Sequence, residues 1–347
     1  MGYKVIKKLP TADELIAEMP LSESGYISIA KHHQEIKNIL AGKDNRLLMV
    51  VGPCSAWPNT AVLEYAQRLK ELEPKINDAI KLVMRVYIQK PRTIKGWTGP
   101  VNQPNPLLDP DIGAGAVYCR KLMVQIIEMV LPIADEALFT HNARGFIELL
   151  SWVAIGARSS EDQEHRIFAS GVDCPVGIKN PTHGSLKIGV NSVLAAQHPH
   201  YIVLDGDEVL TDGNQYAHMV LRGSNNQPNY SIENIKEVAE HFKKNNVKNP
   251  AIMVDVSHDN CLINGKKEHT KQPEIIMQVI DEMIQHAEYR GLVKGFMVES
   301  FIKSGNQNAE MANPIDMDGL SITDPCIGWA DTEELLLKLA NRVRKGY

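Results

Sequence analysis

Leu47-Leu48-Met49-Val50-Val51-Gly52 runs directly into Pro53-Cys54-Ser55. Its five apolar residues show no polar alternation, so the run reads as a strand buried on both faces. Glycine and proline end it and leave a cysteine just past its tip. The same signature recurs downstream at 82–87, 131–134, 153–157, 175–179, 218–221, 252–256 and 294–298. Stretches of helical period separate these runs. Eight buried strands alternating with helices predict an α/β chain, a (β/α)8 TIM barrel with parallel strands. A doubly wound open sheet uses the same elements, and strand count alone does not separate the two.

Working outward, residues 1–45 read as an N-terminal arm with helices, and 46–347 as the barrel. Thr11-Ala12-Asp13-Glu14 is a capping box that opens a first helix, and Ala41-Gly42-Lys43 closes a second. Residues 201–210 carry an extra strand-like pair and predict a hairpin inserted before the sixth barrel strand.

Bulk properties restrict the function classes. The 347 residues are 44% hydrophobic and 23% charged, as in a globular chain with a substantial core. A net charge of −5 argues against nucleic acid or an anionic membrane as partner. No apolar run reaches the roughly 18 residues of a membrane span. The five cysteines are odd in number and scattered, which fits reduced thiols in a cytoplasm.

The chemistry sits at the strand ends. The first strand ends at Cys54. The second carries Arg85 and leads to Lys90-Pro91-Arg92-Thr93. The third ends at Asp135-Glu136, the fourth at Arg158, the fifth at Lys179 and the sixth at Arg222. The seventh ends at Ser257-His258 and the eighth at Glu299. In a barrel all eight ends converge on one face, where active sites are built. Any one of these residues alone reads as surface charge or packing; their shared position favours function.

They form two chemical sets. Arg85, Arg158, Lys179 and Arg222 can hold a multiply charged anion, and Lys90-Pro91-Arg92-Thr93 a second one. Cys54, His258 and Glu299, joined by Asp324 from the loop after the last strand, make a mixed soft and hard donor set for a divalent transition metal. Asp255, inside the seventh strand, is expected to pair with a cation or orient a ligand. His165, His183, His198 and His218 read as loop or packing residues.

In order along the chain, Gly52-Pro53-Cys54-Ser55, Lys90-Pro91-Arg92-Thr93, Gly156-Ala157-Arg158-Ser159, Gly177-Ile178-Lys179-Asn180, Leu221-Arg222-Gly223, Ser257-His258-Asp259-Asn260, Met297-Val298-Glu299-Ser300 and Ser321-Ile322-Thr323-Asp324-Pro325 form a combined pattern. It resembles the type I 3-deoxy-D-arabino-heptulosonate 7-phosphate (DAHP) synthase family over nearly the whole chain from about residue 30. The resemblance implies a metal-dependent transferase of the shikimate pathway to aromatic amino acids. Such an enzyme condenses phosphoenolpyruvate with D-erythrose 4-phosphate and releases phosphate. It implies Cys54, His258, Glu299 and Asp324 as metal ligands, with Mn the expected ion and Fe, Co or Zn compatible. Arg85, Arg158, Lys179 and Arg222 match the phosphoenolpyruvate contacts, and Lys90, Pro91, Arg92 and Thr93 the erythrose 4-phosphate motif. Lys179, or a water at the metal site, is expected to handle a proton, with Glu136 nearby. A cytoplasmic homodimer or homotetramer is implied as well.

The chain departs from that pattern in places. Thr98 stands where the family usually has a lysine, with Lys95 three residues earlier. The segment 261–265 differs from the usual Ser-and-Lys stretch. Thr140, Ala143, Arg144 and Asp173 do not match the best-known pattern of the family's aromatic effector site, and no effector is assigned. Two alternatives stand beside the main reading: a paralogue that takes another aldose phosphate, and a non-catalytic phosphometabolite-binding regulatory subunit.

Overall fold

The computed structural model describes residues 2–91, 96–138, 144–204, 207–309 and 314–346. Eight strands close a parallel barrel: β1 (Leu47–Gly52), β2 (Ile80–Arg85), β3 (Ile133–Glu136), β4 (Trp152–Ile155), β5 (Val176–Lys179), β8 (His218–Leu221), β9 (Ile252–Asp255) and β12 (Val293–Glu299). β1 pairs with both β2 and β12, so the sheet has no free edge. A hairpin of β6 (Tyr201–Leu204) and β7 (Asp207–Leu210) stands before the sixth barrel strand, as the sequence predicts. A second, short hairpin of β10 (Leu262–Ile263) and β11 (Lys266–Lys267) follows β9.

Helices α1 (Ala12–Glu18) and α2 (Glu23–Leu40) precede the barrel. Thr11 caps α1 with both halves of the predicted capping box, and α2 ends ahead of Gly42 at φ 71°. Helices α3 (Asn59–Leu72), α4 (Ile112–Glu128), α5 (Gln163–Gly171), α6 (Leu186–Gln197), α7 (Ile232–Lys244), α8 (Gln272–Gln285), α9 (Ala287–Arg290) and α10 (Trp329–Arg344) complete the chain. No helix among the described residues is long and apolar enough to cross a membrane.

Two apolar layers explain the unbroken runs. In β1, Leu47, Met49 and Val51 pack outward with the helices, whereas Leu48 and Val50 join the barrel interior. The interior cluster adds Val83, Ala134, Trp152, Ala154, Val220, Met253 and Met297. Ile36, Ile39 and Leu40 of α2 plug its lower end. Because both faces are buried, period two is invisible as polarity, yet it still decides where side chains point. Continuing by steps of two from those interior residues, and from Gly177 beside Trp152 and Val220, reaches Arg85, Glu136, Gly156, Lys179, Arg222, Asp255 and Glu299. The strands therefore aim one set of polar groups into the upper mouth.

Six of the eight strands differ from their apolar runs by one or two residues at an end. The run at 131–134, with Asp135-Glu136 at its tip, becomes β3 over Ile133–Glu136. Pro132 has no N–H to enter a ladder, and the two carboxylates at the end are themselves buried.

Candidate active site and metal centre

The innermost group is Cys54, Glu299 and Asp324. Their sulfur and carboxylate atoms all lie within 4.8 Å of one another. Cys54 is placed by the Gly-Pro turn after β1, and Glu299 by the last residue of β12. The Gln272 side chain clamps Glu299 through both its backbone N–H and its carbonyl, each at 2.9 Å. Asp324 comes from the loop before α10, and its N–H donates to Cys54 Sγ at 3.4 Å. Lys90 Nζ donates to the same sulfur and to the Cys54 carbonyl, both at 3.0 Å.

The electrostatics suit a cation. Burial pushes the Cys54 thiol up to about 11, and Glu299 adds to that rise. Burial acts the same way on Asp324, but Lys267 and Lys90 pull its carboxyl below the usual range. Glu299 is also held low, against its burial, by His258, Arg85 and Lys90. A divalent ion at this point deprotonates a coordinating thiol outright, so thiolate and two carboxylates are a donor set that fits one.

His258 stands outside that three-residue group. It takes φ 55°, and its Nδ1 lies 3.0 Å from Asp255 Oδ2 and 2.7 Å from Ser257 Oγ. Nδ1 is thereby committed, which leaves Nε2 as the free nitrogen. A carboxylate behind an imidazole is the usual support for a metal-binding histidine. Burial lowers the His258 pKa, and Asp255 opposes the shift.

Beside this group lies the cationic set. Arg85 is fully buried, 3.3 Å from Glu299 and stacked over Tyr87 at 3.9 Å. Its Nη1 is buried with no hydrogen-bond partner in the protein. A buried guanidinium N–H left open in this way is a group waiting for an anion. Lys179 Nζ lies 3.1 Å from Asp255 and 3.7 Å from Glu136. Arg222 pairs with Asp259 at 3.3 Å. Gly223 follows at φ 76°, where a Cβ would meet the Asp259 backbone at 2.6 Å. Arg158 lies three residues beyond β4 and is exposed. Pro91 follows Lys90, part-buried at the rim.

Arg92, Thr93 and Lys95 lie outside the described residues, as do Thr140 and Ala143. Thr98 is spent on the loop itself: its carbonyl accepts from the Lys90 N–H at 3.0 Å, and its hydroxyl from Asn102 at 2.9 Å. Arg144 pairs with Asp13 near the N-terminus.

The sequence reading missed Lys267, whose Nζ lies 2.9 Å from Asp324. The signal was present. Asn264-Gly265, both at positive φ, is a strong two-residue hairpin turn, and it aims the following strand back over the mouth.

The DAHP synthetase I family pattern matches residues 22–337. The Phe-sensitive phospho-2-dehydro-3-deoxyheptonate aldolase of Escherichia coli (strain K12) is 40% identical, covering 99% of this chain and 97% of that one. The phospho-2-dehydro-3-deoxyheptonate aldolase of Corynebacterium glutamicum is 36% identical over 97% of this chain and 92% of its own. The solved phospho-2-dehydro-3-deoxyheptonate aldolase of Francisella tularensis SCHU S4 superposes with a TM-score of 0.91 at 36% identity, covering 99% of both chains. With the fold in agreement and the match covering nearly the whole chain, the chain belongs to the DAHP synthetase I family.

Proposed function

We propose that this chain is a metal-dependent transferase that condenses phosphoenolpyruvate with D-erythrose 4-phosphate to DAHP and phosphate. This is the first step of the shikimate pathway. The observation that carries the reading is Arg85: fully buried at the Cys54–Glu299–Asp324 group, with one N–H left unpartnered.

In this reading Arg85, Arg158, Lys179 and Arg222 bind phosphoenolpyruvate, with arginine gripping carboxylate or phosphate in a bidentate way. Lys90, Pro91, Arg92 and Thr93 hold the phosphate end of the aldose. Fixing both substrates turns a bimolecular encounter into an oriented one and removes entropy from the barrier. Cys54, Glu299 and Asp324, with His258 through Nε2, would hold one divalent ion; Mn2+ is our choice, and Fe, Co or Zn suit the same donors. Such an ion supplies Lewis-acid stabilisation of the charge that develops on the aldehyde oxygen.

Lys179 carries the proton step at Nζ. Asp255 and Glu136 hold that ammonium from two sides, deep enough to exclude bulk water. It is thus positioned to give its proton to the phosphate that leaves C2 as the C–O bond breaks, and Glu136 to accept the proton lost by the water that adds there. We place the enzyme in the cytoplasm, consistent with five unpaired cysteines. We also assign it to a homodimer or homotetramer, with the N-terminal arm and helices as contacts.

The test is phosphoenolpyruvate consumption by purified protein with added Mn2+, offering erythrose 4-phosphate, arabinose 5-phosphate or ribose 5-phosphate. Turnover with erythrose 4-phosphate alone, abolished by chelator, is the expected result. Turnover with another aldose instead would favour the paralogue reading that Thr98 raises. Silence with all three would leave a binding or regulatory protein.

A further inference from the structure

The hairpin β10–β11 carries one lysine into the candidate metal centre. Successive strand residues point to opposite faces, so Lys266 turns to solvent while Lys267 turns inward. Register is fixed by the Leu262–Lys267 pair and by the Glu268 N–H, which donates to the Cys261 carbonyl at 2.9 Å. The Asn264-Gly265 turn sets the twist. Lys267 Nζ then lies 2.9 Å from Asp324 Oδ1, with its side chain only 29% exposed. Asp324 is one of three residues whose donor atoms converge within 4.8 Å. Lys90 already supplies a positive charge to the Cys54 sulfur.

A carboxylate oxygen held by an ammonium has less of its charge to give a metal, and two positive groups this close repel. We propose that Lys267 is a built-in competitor of the divalent ion: it neutralises Asp324, weakens metal binding, and is displaced when the ion is seated. The displaced ammonium remains on a short hairpin at the mouth, where anionic substrates enter. Metal loading and the positive charge offered to substrate are in this way coupled through one side chain. The proposal rests on the reading of Cys54, Glu299 and Asp324 as a metal centre.

The experiment is Mn2+ titration of chelator-stripped full-length protein by calorimetry, for wild type, Lys267→Met, Lys267→Gln and Lys267→Arg. Melting temperatures are recorded with and without Mn2+. Both neutral variants should bind Mn2+ more tightly, by on the order of 10-fold, from relief of charge repulsion. Their stripped forms should melt lower than wild type, and Lys267→Arg should keep wild-type affinity. Unchanged or weaker Mn2+ binding by the neutral variants would overturn the proposal and make Lys267 a support for the ligand set. No Mn2+ binding by wild type itself would instead overturn the metal-centre reading, so the two failures are told apart.

Discussion

Lys179 of β5 and Asp255 of β9 meet across the barrel interior, Nζ to Oδ2 at 3.1 Å, with their side chains 3% and 0% exposed. The same carboxylate holds His258 at 3.0 Å. One buried charge therefore serves both halves of the site, the cation set and the imidazole beside the metal group. Burial alone would raise its pKa, but His258 and Lys179 hold Asp255 well below the carboxylate range.

Asp255→Asn keeps the shape and removes that charge. Lys179 is left with Glu136 at 3.7 Å, and His258 loses the partner that fixes its ring. The folded state should lose about 3 kcal/mol, as when one side of a buried pair is removed. Mn2+ affinity should fall on the order of 10–100-fold. Denaturant unfolding and metal titration measure the two effects separately; if both matched wild type, Asp255 would not link the two halves.

Gly156 sets a tighter constraint. A Cβ built there would lie 2.3 Å from Glu136 Oε1, so any side chain must displace the carboxylate that stands 3.7 Å from Lys179. Gly156→Ala should cost about 1–3 kcal/mol of stability through overpacking. It should also lower kcat more than it raises the KM for either substrate. A variant with wild-type kcat would show that the Glu136 position is unimportant for the chemistry.

These two sites show what the sequence could and could not disclose. The barrel was legible because doubly buried strands write themselves as unbroken apolar runs, and Leu47–Gly52 and His218–Leu221 match their runs residue for residue. The site was legible because Arg85, Lys179 and Glu299 interrupt apolar surroundings at strand tips. Distances between strands were not. That Asp255 reaches Lys179 depends on strand order β9-β8-β5 and on interior pointing, neither of which is local. His258 illustrates the same limit, since its residue type gave a ligand and only the fold shows Nδ1 committed to Asp255. For Lys267 the neighbouring Asn264-Gly265 turn signals a hairpin but not that it folds back onto Asp324.

Cys54→Ala tests the soft donor. The side chain is fully buried but small, so the fold should persist with an unchanged far-ultraviolet circular dichroism spectrum. Lys90 loses its contact with the sulfur yet keeps the Cys54 carbonyl. Mn2+ binding should weaken by more than the roughly 10–100-fold that loss of a supporting partner costs. Phosphoenolpyruvate consumption should vanish with it. Full Mn2+ affinity in this variant would remove Cys54 from the centre.

At the lower end of the barrel, His218 predicts an acid limit to stability. It is fully buried inside the barrel against Trp152, whose indole N–H donates to His218 Nε2 at 3.2 Å. Its Nδ1 lies 2.9 Å from the Tyr216 carbonyl and donates to it. Both nitrogens are thus satisfied only in the neutral ring. A proton added at Nε2 would face the indole N–H. Burial lowers the pKa accordingly, from 6.5 to about 4. Between those values the unfolded chain binds a proton that the folded chain refuses, so stability is fully present above about pH 6.5 and is lost as pH falls toward 4. A depression of this size corresponds to about 3 kcal/mol. Urea unfolding at pH 7, 5.5 and 4.5 should show that loss in wild type. His218→Gln is less stable at pH 7 but does not titrate, so it should lose markedly less over the same interval. Parallel losses in the two proteins would assign the acid sensitivity to other groups.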